Sequence, residues 1–190
     1  MTRQSSHPRR TAERRRPGDP DREELVKRII RVDQAGEYGA KRIYAGQLAV
    51  LGRSSGAGVI RKMAEQEDRH LAAFDQLIVE RRVRPTALQP LWYVTGFALG
   101  AATALLGERA AMACTVAVEE VIDEHYARQA TALGDDEAEL RGRIEEFRAH
   151  EIEHKETALA HGAEAAPAYP LLRGAIKAAS RLAIWLSTRI

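Results

Sequence analysis

The chain has 190 residues, enough for one well-cored domain, and its lone cysteine, Cys114, excludes a disulfide framework, a CxxC redox pair and a Cys-rich zinc site. Hydrophobic residues at 45% and charged residues at 29% exclude a chain that is disordered throughout, while 5% aromatics and a wealth of Ala, Leu, Arg and Glu favour helices over sheets. The net charge of +2 divides into +4 over residues 1–20 and −2 over the rest, so a nucleic-acid partner would rest on the tail alone and none is expected.

Residues 1–20 carry six Arg against Glu13 and Asp19 and have no apolar stretch, so they are not a secretory signal. They read as a disordered basic arm with a faint likeness to a transit peptide, and the lone cysteine points to a reducing compartment. Asp21-Arg-Glu-Glu24 is a capping-box-like start, and a helical pattern runs from it to Leu51 and stops at Gly52. A second helix is predicted over about 57–81, ending before Pro85. Residues 91–107 hold no charge at all. A third helix covers about 109–133 and ends at Gly134, and Asp135 or Asp136 is expected to cap a fourth that runs to about His161. After Pro167 and Pro170 comes a last segment, Leu171–Ile190. No run alternates with period two, so no strand is expected. The prediction is an all-α protein: residues 21–190 as a single antiparallel four-helix bundle, with an added apolar segment at 86–108 and a C-terminal amphipathic helix.

Polar residues interrupt the apolar seams of the four long helices. Ile60, Met63, Phe74 and Leu77 define the seam of the second helix, and Glu67 and His70 fill its gap. Leu140, Ile144, Phe147 and Ala158 do so for the fourth, with Glu151 and His154 in the gap. Ile30, Ala40, Tyr44 and Leu51 flank Glu37 in the first, and Met112, Val116, Ile122 and Leu133 flank Glu119 in the third. Residues i and i+3 project from one helix face, so each ExxH offers a carboxylate and an imidazole to one region. A single ExxH means little among 19 Glu and six His. Two of them on core seams, each preceded by a seam Glu some thirty residues earlier, form a pattern. Burying four carboxylates without compensation is very costly, and two divalent cations supply the missing charge. One Glu from each of two helices and Glu-x-x-His from each of the others is the di-iron carboxylate arrangement of ferritin-like bundles, and oxygen and nitrogen donors without thiolate suit iron or manganese. Glu65, Glu120, Glu145 and Glu153 lie off the seams and are expected on the solvated surface, as are His150 and His161. Tyr126 lies seven residues after Glu119, on its face, where it either approaches the metals or packs in the core; helical phase alone turns His125 toward the surface.

The stretch Arg31-Val-Asp-Gln-Ala-Gly-Glu-Tyr-Gly-Ala40, continued by Lys41-Arg-Ile-Tyr-Ala-Gly-Gln47, resembles the demethoxyubiquinone hydroxylase family of ubiquinone biosynthesis. So do Ala113-Cys-Thr-Val-Ala-Val-Glu-Glu120, Ala165-Ala-Pro-Ala-Tyr169 and Arg181-Leu-Ala-Ile-Trp-Leu-Ser187, and the similarity covers roughly 24–190. The resemblance implies a ferritin-like fold and two irons held by Glu37, Glu67, His70, Glu119, Glu151 and His154, with Glu67 and Glu151 bridging. It implies catalytic roles for His125 and Tyr126, which match the family's His-Tyr pair on the third helix. The reaction it implies is hydroxylation of a polyprenylated methoxy-methyl benzoquinone ring by dioxygen. NADH is the implied reductant, yet no GxGxxG follows a predicted strand and no flavin motif is seen. Other ubiquinone-biosynthesis proteins and a second copy of the chain are further partners to consider.

A polyprenyl quinone lives in the bilayer. Residues 91–107 would make about 26 Å of helix, short for a span of about 30 Å. The last segment mixes Arg173, Lys177, Arg181 and Arg189 with Leu171, Leu172, Ile176, Leu182, Ile184 and Trp185, the pattern of an interfacial helix. The expectation is therefore peripheral docking of the two segments on the cytoplasmic face of a bacterial inner membrane, or the matrix side of the mitochondrial one, with Leu99 and Leu105 toward lipid. Rival readings are another ferritin-like di-iron oxidase, peroxidase or iron store, and a non-enzymatic membrane-bound scaffold of the quinone pathway.

Overall fold

The structure is a computed structural model that describes residues 20–190, so the basic arm read from residues 1–20 lies, but for Pro20, outside the described residues. Six α-helices and one short 3-10 turn account for the described elements, and no strand occurs among them. They are α1 (Arg22–Leu51), α2 (Ala57–Glu80), α3 (Gln89–Leu105), α4 (Glu108–Leu133), α5 (Ala138–Ala160) and α6 (Tyr169–Ser187).

Each boundary has a local cause. Asp21 caps α1: its Oδ1 accepts the backbone N–H of Glu24 at 2.8 Å, as the capping-box reading predicts. Gly107 (φ 108°) and Gly134 (φ 60°) bracket α4 in backbone conformations that suit glycine. Pro90 and Pro170 stand in the first turns of α3 and α6, where no N–H is needed. The start of α5 departs from expectation. Neither Asp135 nor Asp136 caps it; the N-cap is Glu137, without a side-chain cap bond. Arginines claim the carboxylates instead. Arg141 donates to Asp135 at 2.8 Å, and Arg81 donates to both oxygens of Glu137, tying the start of α5 to the end of α2.

Helices α1, α2, α4 and α5 form the bundle. α3 packs along α1, and α6 packs along α4. The chain thus runs twice through one plan: a long helix, an ExxH helix and a third helix that returns along the first. The α1–α3 approach is close enough to require glycine. A Cβ on Gly100 would sit 1.9 Å from Ile43 O, and one on Gly46 would sit 2.2 Å from Phe97 O. The α4–α6 contact is ionic at its rim, where Glu120 accepts from Arg173 and Lys177. Glu120 is therefore not the solvated surface residue expected; it anchors α6.

Two apolar clusters fill the bundle. One gathers Ile30, Phe74, Leu77, Tyr126, Ile144 and Phe147, and the other gathers Tyr44, Ile60, Met63, Met112, Val116 and Ala158. Burying each such large side chain contributes about 1.5–3 kcal/mol. Seam residues Leu51 and Ile122 are half-buried at the edges of the clusters. A third cluster, Cys114, Ala117, Val118 and Ile176, lies under α3 and α6, and burial pushes the Cys114 thiol up to about 12. Between the two main clusters along the helices lies the polar centre.

Candidate metal centre

The seam gaps of four helices meet at one level. Glu37 (α1), Glu67 and His70 (α2), Glu119 (α4), and Glu151 and His154 (α5) are all buried. Helix period explains the convergence, since each acidic residue continues the apolar face of its own helix. The geometry is doubled about a shared pair. Glu37, Glu67, His70 and Glu151 bring one ligand atom each to within 4.8 Å of one another, and Glu67, Glu119, Glu151 and His154 do the same. Glu67 and Glu151 belong to both groups.

Both histidines turn Nδ1 inward. His70 Nδ1 lies 3.1 Å from Glu151 Oε1 and 3.5 Å from Glu37 Oε2. His154 Nδ1 lies 3.1 Å from Glu67 Oε1 and 3.3 Å from Glu151 Oε2. None of these approaches has the direction of a hydrogen bond. Both oxygens of Glu67 and Glu151, Oε2 of Glu37 and of Glu119, and Nδ1 of both histidines are buried without a hydrogen-bond partner. Orphans of this kind are rare in folded proteins because each costs about 1–3 kcal/mol. Here they face common points rather than one another. Four carboxylates and two imidazoles, with oxygen and nitrogen donors only, fit two divalent cations.

The electrostatics of the metal-free centre carry the same message. Burial, then the charges of Glu151 and Glu37, pushes Glu67 well above the usual carboxylate range. Burial and Glu151 do the same to Glu119. Burial also works against Glu151, but the imidazoles of His154 and His70 outweigh it and hold that carboxyl at about 2. Burial would lower His70, yet Glu151 and Glu37 outweigh it and raise the ring to about 9.

The outer oxygens of Glu37 and Glu119 are held by tyrosines from the opposite helix. Tyr126 on α4 donates its hydroxyl proton to Glu37 Oε1. Tyr44 on α1 donates to Glu119 Oε1 at 2.9 Å. Tyr126 is thus both core packing and a contact of the centre, whereas Tyr44, read from the sequence only as seam, has the mirror role. The signal was present, since Tyr44 follows Glu37 by seven residues as Tyr126 follows Glu119.

His125 is half-buried rather than turned to solvent. Its Nε2 lies 3.5 Å from Oδ1 of buried Asp33 and 2.8 Å from Gln129 Nε2, and Gln129 donates to Asp33 at 2.7 Å. Burial raises Asp33, against the pull of His125. Sequence reasoning did not single out Asp33 or Gln129; a lone polar residue one turn from Glu37 carries no period of its own. His150 corrects an expectation. It is not a free surface histidine but meets His70 edge to edge, Nδ1 lying 3.0 Å from His70 Nε2 with the rings nearly parallel, because α5 turns it toward α2. Glu65, Glu145, Glu153 and His161 are exposed, as expected. At the Glu119 end, Ala40, Ile43, Tyr44, Thr115 and Val118 pack around the carboxylate and leave no room for a water molecule.

Fold and site together define a ferritin-like helical bundle with a buried carboxylate–histidine centre. The chain belongs to the family described as ubiquinone biosynthesis protein COQ7, whose family model matches residues 24–187. It is 61% identical over 183 residues to the 3-demethoxyubiquinol 3-hydroxylase of Rhodospirillum rubrum, covering 96% of this chain and 86% of that protein. It is 57% identical to the human mitochondrial NADPH-dependent 3-demethoxyubiquinone 3-hydroxylase (87% of this chain, 78% of that protein). It is 42% identical to the mitochondrial 5-demethoxyubiquinone hydroxylase of Saccharomyces cerevisiae (87% and 78%). The resemblance read from the motifs around Glu37, Glu119, Tyr169 and Trp185 holds.

Proposed function

We propose that this chain hydroxylates the ring of a demethoxyubiquinone-type quinol with dioxygen, at two irons held by Glu37, Glu67, His70, Glu119, Glu151 and His154. The observation that carries the reading is the pair of four-residue groups that share Glu67 and Glu151. Family membership supports the substrate class. When bound, the irons supply the electrons that reduce dioxygen. The balance is one ring C–H, one dioxygen, two electrons and two protons giving one C–OH and one water. The two electrons come from a reduced nicotinamide nucleotide, NADH by the motif resemblance and NADPH in the name of the human relative.

The chain's own residues divide the remaining work. Ile43, Tyr44, Thr115 and Val118 close over the centre at Glu119 and make that end largely apolar, so a flat ring that enters there must part these side chains. Thr115 Oγ1, buried there without a partner, is placed to orient a ring oxygen. At the opposite end the half-buried His125, with Asp33 and Gln129, supplies protons from the surface, and Tyr126 carries the hydrogen bond to Glu37. The apolar clusters above and below keep bulk water away from the reacting atoms.

Peripheral docking on a membrane belongs to the same proposal. No helix among the described residues is long and apolar enough to cross a bilayer. Leu91, Tyr93, Val94 and Leu105 of α3 are exposed, as are Leu171, Leu182 and Trp185 of α6. Arg189 lies over the Trp185 ring at 4.2 Å, the pairing of a headgroup-level anchor. Leu99 does not join this surface; it packs inward on the Cys114–Ala117–Val118 cluster. Assay of the iron-loaded chain on a short-chain demethoxyquinol tests the reading. A hydroxylated ring supports it, and dioxygen consumption with no hydroxylated ring overturns it.

A further inference from the structure

The ligand side of each histidine is Nδ1, which leaves the far nitrogen of each ring to be held by something else. His70 Nε2, on α2, lies 3.0 Å from Nδ1 of His150 on α5. His154 Nε2, on α5, lies 3.2 Å from Oε1 of Gln66 on α2. Gln66 immediately precedes Glu67, and His150 immediately precedes Glu151. Each ExxH helix therefore reaches across to the other's histidine from the position just before its own shared carboxylate.

We propose that Gln66 and His150 are positioning residues of the metal centre: each accepts the Nε2–H of the opposite helix's histidine and so turns that ring's Nδ1 lone pair onto a metal. The inference rests on the di-iron reading. A neutral imidazole has one N–H, so a ring that gives its Nε2–H away must present Nδ1 as the acceptor side. The amide oxygen of Gln66 can only accept, which sets the tautomer of His154. His150 accepts through Nδ1 and carries its own proton on Nε2. His70 is further pinned by Phe147, which stacks on its face at 4.1 Å, while the His150 ring lies edge to edge with it, only 3° from parallel, as a straight in-plane hydrogen bond requires. The two halves of the centre match in geometry but differ in acceptor, an amide for His154 and an imidazole for His70. Loss of such an outer partner typically weakens metal binding by about 10–100-fold.

Anaerobic Fe(II) titration of the whole chain against a competing chelator tests this, with thermal melts of each metal-free variant. Wild type is expected to take up two irons tightly. His150→Phe keeps an aromatic ring at the position and loses the acceptor, and it should weaken one iron by about 10–100-fold. His150→Gln restores an acceptor and should recover most of that affinity. Gln66→Met should weaken the other iron, and the double variant both. Equal binding by His150→Phe and wild type overturns the proposal, and so does His150→Gln binding no better than His150→Phe. Failure of the wild type to take up two irons overturns the di-iron reading itself, a distinct result. Should His150→Phe melt lower and fail to fold, Gln66→Met and His150→Gln still decide the matter.

Discussion

Glu67 and Glu151 are the residues on which the centre turns, because each stands in both four-residue groups. Glu67→Gln or Glu151→Gln should abolish uptake of both irons, while Glu65→Gln and Glu153→Gln, on exposed side chains, should leave uptake intact; iron analysis after anaerobic loading reads the difference. Tyr126→Phe keeps the ring in its cluster and removes the proton given to Glu37. Iron content should stay at two, and turnover of quinol should fall. Turnover equal to wild type would reduce Tyr126 to packing. The pH dependence has a definite sign. His70, raised from 6.5 to about 9 in the metal-free fold, contributes stability that is complete below 6.5 and lost as pH rises through about 9. Glu67 and Glu119, raised by burial, also bind protons more tightly folded than unfolded, so their ionisation costs stability in the same direction. The melting temperature of metal-free protein should therefore fall between about pH 5 and pH 9, and iron should flatten that fall. Iron loading at neutral pH should release protons, visible as a calorimetric heat that depends on the buffer.

At the scale of elements, two contacts hold the outer helices. The α1–α3 contact depends on missing side chains. Gly100→Ala would drive a Cβ into the backbone of Ile43, so α3 must move or α1 must bend. The expected cost is about 1–3 kcal/mol in chemical denaturation, with more for Gly100→Leu. The α4–α6 contact depends on charge, with Glu120 holding Arg173 and Lys177 and Glu124 holding Arg181. These side chains are partly exposed, so Glu120→Gln should cost no more than about 1 kcal/mol. The exposed face of α3 makes a separate demand. Val94→Asp with Leu105→Asp should reduce co-flotation with anionic vesicles, and unchanged flotation would remove α3 from the docking surface. Much at this scale was legible in the chain. Periodicity located the helices because amphipathic stripes and Gly or Pro stops act locally. The missed α5 cap and the anchoring of Glu120 were not legible, since Arg81 at the end of α2 holds Glu137 and Arg173 of α6 holds Glu120, and spacing along the chain shows neither contact.

Across the whole molecule the chain repeats itself. Glu37 and Tyr44 on α1 answer Glu119 and Tyr126 on α4, and Gln66, Glu67 and His70 answer His150, Glu151 and His154. This doubling made the centre readable, because two matched ExxH patterns on apolar seams exceed chance where one does not. Cross-helix partners such as His150 with His70, or Asp33 with His125, stayed hidden, because sequence spacing says nothing of the facing helix. The repeat is broken where function requires it. Asp33, His125 and Gln129 make the Glu37 end polar, and Ile43, Thr115 and Val118 make the Glu119 end largely apolar. The most direct test is turnover of the iron-loaded chain with ¹⁸O-labelled dioxygen and a short-chain demethoxyquinol, followed by product mass. The ring should gain one hydroxyl that carries the label, after correction for exchange of quinone oxygens with water. Label found only in water, with no hydroxylated ring, would contradict the account and leave an oxidase.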